Sequence, residues 1–388
     1  MKNLLQKESA NPNNPNWKKI IKRQHSLYQR DNEIRSEFER DYTRVINSKA
    51  YRRLKHKTQV FFSPENDHIC TRIEHVALVE SISYTIAKYL GLNTELTKAI
   101  STAHDIGHSP FGHQGEKILS EISKQTIGKT FWHERNGLEF VDKVELLETP
   151  DGKIKNLDLT YGVRDGIISH CGEIDERYLK PRTEYIDLYE YEHPNQYAPY
   201  TWEGCVVKIA DKISYLGRDI ADAITLGILD KKLTELYDVL KLDKNTKINN
   251  TVILNTFIND LCKNSSLEMG LCFSDEKFEM INKLKEFNYK NIYLAEKTVS
   301  SIDYFELILQ KLFSFLKRTY FEKEELKKIC PSLVEDFDEW LKNYFSLDIS
   351  SNKCMSVSEE EYCQAVIYYI AGMTDNYAIE MYDKIISF

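Results

Sequence analysis

The chain has 388 residues, enough to bury a sizeable core without disulfides, and its length alone suggests two or three domains. Hydrophobic residues make up 42% and charged residues 29%, a balance that argues against a disordered or fibrous chain. The formal net charge of −8 argues against general nucleic-acid coating, so an anionic ligand would need a local cluster of cations.

Eight cysteines are scattered from Cys70 to Cys363, with none at two-residue spacing, which argues against a zinc knuckle. The stretch from Met1 to Trp17 is polar and Asn-rich rather than a secretory signal. No run of eighteen apolar residues occurs. A reduced, cytoplasmic protein with no membrane span is expected.

In chain order, residues 1–30 are polar, carry Asn11-Pro-Asn-Asn-Pro15, and predict a loose arm. Residues 31–60 mix charges with Ile34, Phe38, Tyr42 and Val45 at helical spacing. Pro64, Glu65, Asn66 and Asp67 predict a loop over 61–68. A second helix is predicted over 72–90, with Val79, Ile82, Ile86 and Leu90 on one stripe and Gly91 as its stop. Asn93 is placed to cap a third, with the stripe Leu96, Ala99, Ile100 and Ala103. That helix runs into His104-Asp105-Ile-Gly-His108, and Gly107 and Pro110 end the pattern.

Residues 133–147 and 162–171 are read as helical. Residues 178–203, rich in Tyr, Pro and Asn, are read as an ordered excursion placed to cover a site. A strongly patterned helix follows over 203–228, with Ile209, Ile213, Leu216 and Ile220 on one face. From about residue 230 helical patterns alternate with short polar loops. Few runs alternate with period two, so the fold is expected to be mainly α, without internal repeats.

Of ten histidines, His75, His104, His108, His113 and His133 fall in one stretch, and none follows His193. Imidazole is both a borderline metal ligand and a base near neutral pH. His104-Asp105 at a helix end can turn both side chains to one cation, although an isolated His-Asp pair serves equally well to satisfy local backbone. Context changes that balance. His75 and Asp211 sit on helices of their own, and the four residues give two nitrogen and two oxygen ligands with positions open to water and substrate. The set suits Mn, Mg, Fe, Ni or Zn without choosing among them.

Arg72, three residues before His75, shares its helix face, where a guanidinium can clamp phosphate or form a surface ion pair. Asp211, Tyr215 and Asp219 recur every four residues beside Lys212. The row is either a solvated face or a groove edge that offers Lys212 to phosphate and Tyr215 to a sugar. His113 and Glu116 are three apart, a spacing at which a carboxylate orients an imidazole. His133, followed by Glu134, adds a candidate proton donor. The basic run Arg44, Arg52, Arg53, Lys55 and Lys57 reads as a solvated helix face or a phosphate rim or, less favourably, as a site for single-stranded nucleic acid.

With these residues in view, the chain resembles the deoxyguanosine triphosphate triphosphohydrolase branch of the HD superfamily of metal-dependent phosphohydrolases. The resemblance rests on Arg40-Asp41, Ser48-Lys-Ala-Tyr-Arg-Arg-Leu54, Lys57-Thr-Gln-Val60, Thr71-Arg-Ile-Glu-His75 and Ala103-His-Asp-Ile-Gly-His-Ser-Pro-Phe-Gly-His113. It continues through Gly115-Glu116, Phe131-Trp-His-Glu134, Val163-Arg-Asp-Gly166, Val207-Lys-Ile-Ala-Asp211 and Ala371-Gly-Met-Thr-Asp375. The stretch Phe131-Trp-His-Glu-Arg-Asn136 departs from the Phe-Glu-x-Asn of many bacterial members.

The resemblance implies an HD-type helical core over 31–228, preceded by the arm at 1–30. A helical C-terminal elaboration over 229–388 would complete the site and carry oligomer contacts. It implies His75, His104, Asp105 and Asp211 as ligands of a divalent metal. It implies Arg53, Gln59, Arg72, His108, Lys212, Tyr215 and Asp219 as substrate contacts. Among these, Arg72, His108 and Lys212 meet phosphate, while Gln59, Tyr215 and Asp219 meet the sugar. His113, Glu116 and His133 are implied as the proton-transfer group. The implied reaction splits a deoxynucleoside triphosphate, dGTP first among them, into deoxynucleoside and inorganic triphosphate by water attack at the α-phosphorus. Implied partners are the nucleotide substrate, an allosteric nucleotide and further copies of the chain.

Two alternatives stand beside this expectation. One is another HD phosphohydrolase: a nucleoside monophosphatase, or a cyclic-dinucleotide or alarmone hydrolase. The other is a non-catalytic nucleotide- or nucleic-acid-binding protein on the same fold.

Overall fold

The computed structural model describes residues 4–28, 32–62, 66–171, 177–243, 246–345 and 357–387. The fold is mainly α. The helices are α1 Trp17–Ile20, α2 Glu37–Asn47, α3 Lys49–Arg53, α4 Arg72–Leu90, α5 Thr94–Ala103, α6 Gly112–Ile127, α7 His133–Glu139, α8 Tyr161–Ser169 and α9 Trp202–Thr225. They continue with α10 Leu233–Leu240, α11 Asn250–Asn264, α12 Asp275–Asn288, α13 Glu296–Val299, α14 Ile302–Ile329, α15 Pro331–Tyr344, α16 Glu359–Ala371 and α17 Asp375–Ile386. Two short antiparallel pairs complete it: β1 Leu146–Glu148 with β2 Ile154–Asn156, and β3 Tyr178–Leu179 with β4 Leu271–Cys272.

Local chemistry explains the helix ends. A capping box between Thr71 and Glu74 opens α4, and Gly91 closes it in the left-handed region at φ 82°. The Asn93 side chain accepts from the amides of Glu95 and Leu96 to open α5. The stripe Val79, Ile82, Ile86 and Leu90 is buried against Leu96, Ala99 and Ile100, each large side chain contributing about 1.5–3 kcal/mol.

The buried apolar side chains fall into two clusters. The first joins α2, α4, α5, α8, α9, α11 and α12. The second joins one face of α6 to α14, α15, α16 and α17, through Leu119, Leu312, Phe337, Val366 and Met381.

Several expectations are corrected. The N-terminal segment is not loose: Leu5, Ala10 and Ile20 are buried. The amides of Ala10 and Asn93 both donate to Glu203 Oε1 at 2.9 Å, and Asn93 Nδ2 donates to the Ala10 carbonyl. Ile34 precedes α2 and is exposed, because Ser36 caps the helix behind it. The helix expected over 133–147 stops at Glu139; a wide turn over Phe140–Val144 leads into a hairpin closed at Pro150-Asp-Gly152, with Gly152 at φ 76°.

The excursion over 178–203 is an ordered segment packed against α7 and α8. Arg182 pairs with Asp165 and bonds the Tyr161 hydroxyl, and Tyr189 bonds Asp142, so the segment is fastened to α8 and the turn after α7. Pro64 and Glu65, from the loop expected over 61–68, lie outside the described residues. No described helix is long and apolar enough to cross a membrane.

Candidate active site

Three helices bring the expected ligands together. His75 comes from the first turn of α4, His104 from the end of α5 and Asp211 from the middle of α9. His75 Nε2 lies 2.9 Å from Asp211 Oδ1. His104 Nε2 lies 3.8 Å from both Asp211 Oδ1 and Asp105 Oδ1. The ligand atoms of His75, His104 and Asp211 form one compact group, and those of His104, Asp105 and His170 form an adjoining one.

The tautomer of His104 is set by its backbone. Its Nδ1 donates to the Ser101 carbonyl at 2.7 Å, so Nε2 carries the lone pair. That Nε2 is buried without a hydrogen-bond partner among the described residues. A buried acceptor facing two carboxylates is the donor set a divalent cation requires, and the residues present therefore fit one.

Electrostatics agree with this. Burial would raise Asp105, but Arg72 and His108 outweigh it and hold the carboxyl well below its ordinary value. Asp211 is likewise held low, burial being outweighed by the hydrogen bond from His75. Burial lowers His104 and, together with Arg72, lowers His108 strongly, so both rings are neutral. A bound cation requires neutral imidazoles and ionised carboxylates; His75 is the exception, since burial lowers its ring but the Asp211 carboxylate outweighs burial and raises it, so a cation there displaces a proton.

Arg72 is buried and donates through Nη1 to Asp105 Oδ2 at 2.9 Å, while its Nε and Nη2 have no partner among the described residues. Gln59 is buried with its Oε1 likewise unpartnered. Asp219 Oδ2 accepts from the Tyr293 hydroxyl at 2.6 Å, and burial pushes its carboxyl up to about 7. Tyr215 lines a cavity of about 270 Å³ with Asn288, Tyr289 and Tyr293, one turn from Asp211. Lys212 is buried on the same helix.

The proton-transfer candidates form a second cluster. Glu116 accepts from the His133 backbone amide at 2.9 Å and faces His133 Nδ1 at 3.0 Å. His113 is largely exposed, with Nδ1 3.6 Å from Glu116 Oε2. The His133 ring stacks on His108 with centroids 3.7 Å apart. Burial alone would lower His133, but Glu116 and Glu134 outweigh it and raise it well above the ordinary value. Gly107 makes this approach feasible: a Cβ there would lie 2.0 Å from the His133 carbonyl oxygen and 2.2 Å from the Gly137 nitrogen.

Arg53 is placed elsewhere. It donates to Glu145 at 2.8 Å and lines a separate cavity with Lys49, Trp340 and Tyr377. The basic run is not one surface either. Arg44 is buried, bonded to the carbonyls of Asn156 and Leu157, and Lys57 is buried, bonded to those of His108 and Ala371.

Sequence reasoning missed His170 and Tyr293, and gave Lys57 and Asp375, which stand in the motifs quoted above, no such structural role. His170 ends α8 much as His104 ends α5, its Nδ1 donating to the Ile167 carbonyl at 2.7 Å. Tyr293 lies far along the chain without a periodic signal. Lys57 ties the turn after His104 to the end of α16. Asp375, at the start of α17, accepts from the amides of Thr58 and Phe111 at 2.9 Å each, so the C-terminal region holds the loop that carries Gln59 and the turn that leads into α6 and His113.

Comparison with known proteins agrees with this arrangement. Residues 72–216 match the HD domain, and residues 271–384 match the phosphohydrolase-associated domain. The protein is thus an HD phosphohydrolase, a metal-dependent class of hydrolase. The deoxyguanosinetriphosphate triphosphohydrolase-like protein of Caldanaerobacter subterraneus subsp. tengcongensis is 33% identical over 354 residues, covering 91% of this chain and 86% of that one. Those of Desulfatibacillum aliphaticivorans and Rickettsia felis are 32% and 31% identical, each covering 91% of this chain and 88% and 92% of their own. The chain belongs to this family of deoxyguanosinetriphosphate triphosphohydrolase-like proteins.

Proposed function

We propose that this protein hydrolyses deoxynucleoside triphosphates, dGTP first among them, to deoxynucleoside and inorganic triphosphate. The observation that carries the proposal is the unpartnered, buried Arg72 guanidinium edge beside the His75, His104 and Asp211 group. A cation-binding group and a phosphate clamp in contact are what attack on phosphorus needs.

His75, His104, Asp105 and Asp211 would hold the divalent cation, which when bound supplies a Lewis acid and lowers the pKa of water. Arg72, with Lys212 and His108, binds the phosphate oxygens and offsets charge as it builds on them. Water adds at the α-phosphorus, the bond from phosphorus to the 5′-oxygen breaks, and a proton moves to that oxygen. His113 is the group that delivers it, because both ring nitrogens of His133 are already engaged, Nδ1 by Glu116 and Nε2 by His170. Glu116 orients His113, and His133 anchors Glu116. Gln59, Tyr215 and Asp219 read the sugar: Asp219 takes the 3′-hydroxyl, and Tyr215 leaves no room for a 2′-hydroxyl. Self-association through the C-terminal region and a regulatory nucleotide belong to the same proposal.

The test is incubation with each of the four dNTPs and with GTP, in Mg or Mn, with products separated by chromatography. Deoxynucleoside plus triphosphate is expected. Release of monophosphate or orthophosphate instead would assign the protein to another HD hydrolase.

A further inference from the structure

Beside the first cluster, three side chains that no role above requires as ligands converge on one point. His133 Nε2 and His170 Nε2 face each other at 3.4 Å, and the ligand atoms of His133, His170 and Cys171 all lie within 4.8 Å of one another. Two imidazole nitrogens bound at about 2.0–2.1 Å to one tetrahedral cation sit about 3.3–3.4 Å apart, the edge of the tetrahedron.

Both rings are presented as metal-binding histidines are. A ligating imidazole donates its other N–H to a carboxylate or a backbone carbonyl. His133 does so through Nδ1 to Glu116, and His170 through Nδ1 to Ile167. Glu134 is buried nearby, its Oε2 paired with His133 Nδ1 at 3.5 Å. Lys208, the nearby ammonium, bonds the carbonyls of Ser169 and Cys171 and so fixes the backbone that carries the thiol.

We propose that His133, His170 and Cys171 form a second cation site, distinct from the one at His75, His104 and Asp211. Two imidazoles and a sulfur select a borderline-soft, tetrahedral ion such as zinc or cobalt(II) over magnesium or manganese. On binding, His133 loses its Nε2 proton and the thiol loses its own, both to solvent, so that a neutral imidazole and a thiolate face the ion. The His133 to Glu116 hydrogen bond survives, because the ion takes the opposite ring nitrogen. His170 stands between the two sites, its ring centroid 4.9 Å from that of His104.

The experiment titrates the metal-stripped, full-length, reduced protein with cobalt(II) alone and follows its absorption spectrum. Two equivalents per chain are expected, one of them bringing a thiolate-to-cobalt charge-transfer band in the near ultraviolet. C171S should bind one equivalent and lack the band, with an unchanged circular dichroism spectrum. H104A should lose the other equivalent and keep the band. If C171S does not fold, H170Q read by the same band replaces it and should weaken or abolish it. No band in the unaltered protein would mean that the 3.4 Å contact holds a shared proton only, and would overturn the proposal. So would a band that persists in C171S, or one that disappears in H104A.

Discussion

Helices α4, α5 and α9 present His75, His104 and Asp211 from within one apolar cluster, whereas α6, which carries Glu116, buries Ile118, Leu119 and Ile122 in the other. The coordinating side is built from helices whose stripes and caps are local in sequence. The proton-handling side leans on α14 and α16, and its loops are held by Asp375 and Lys57 across most of the chain. On the proposed roles, the difference teaches that ligand geometry is a property of one core, while delivery of a proton depends on how the second core is docked to it.

Breaking the coordinating side should have the largest effect. H104A or D211A should lose one equivalent of bound metal, measured by elemental analysis, and activity should fall to background. Retention of either would separate the residue from the cation. On the other side, H113A should keep its metal and slow turnover by about 10²–10⁴-fold. An unchanged rate would remove His113 from proton delivery.

The sugar contact is expected to be smaller in effect. D219A should weaken dNTP substrates by about tenfold, the equivalent of about 1.4 kcal/mol for a buried hydrogen bond. A 3′-deoxy analogue should be affected much less. Burial places the Asp219 carboxyl at about 7, and the ionised form is the better acceptor for a hydroxyl. KM should therefore fall as pH rises through about 7, and D219N should flatten that dependence.

D375A tests the docking itself. It leaves the Thr58 and Phe111 amides without their acceptor, which should cost about 1–3 kcal/mol in denaturant titration while metal content stays intact. Loss of metal in D375A would show that the two sides are not separable.

Much of the coordinating side was legible in sequence. The apolar stripe and Gly91 gave α4 its expected bounds, and Asn93 capped α5 as its side-chain chemistry predicts. The proton-handling side was legible as residue types but not as geometry. His170 lay outside the histidine-rich stretch, and only the packing of α8 brings it to His104. The N-terminal segment misled because it is fastened by hydrogen bonds to Glu203 rather than by a periodic stripe. Arg53 shared a motif with Gln59 but points to Glu145, since a short helix sends its residues in several directions.

Gly107 gives the contrast between the two sides a mechanical meaning. The interval between the coordinating turn and α7 is set by a carbon atom that is not there, because backbone meets backbone at that point. Alanine would act as a wedge, prising His108 from the face of His133 and drawing the Asn136 amide off the Gly107 carbonyl. This position is therefore a caliper rather than a hinge. Sequence drift can re-dress the surface around it, but no side chain can enter without resetting the spacing between the turn that carries His104 and Asp105 and the start of α7 that carries His133.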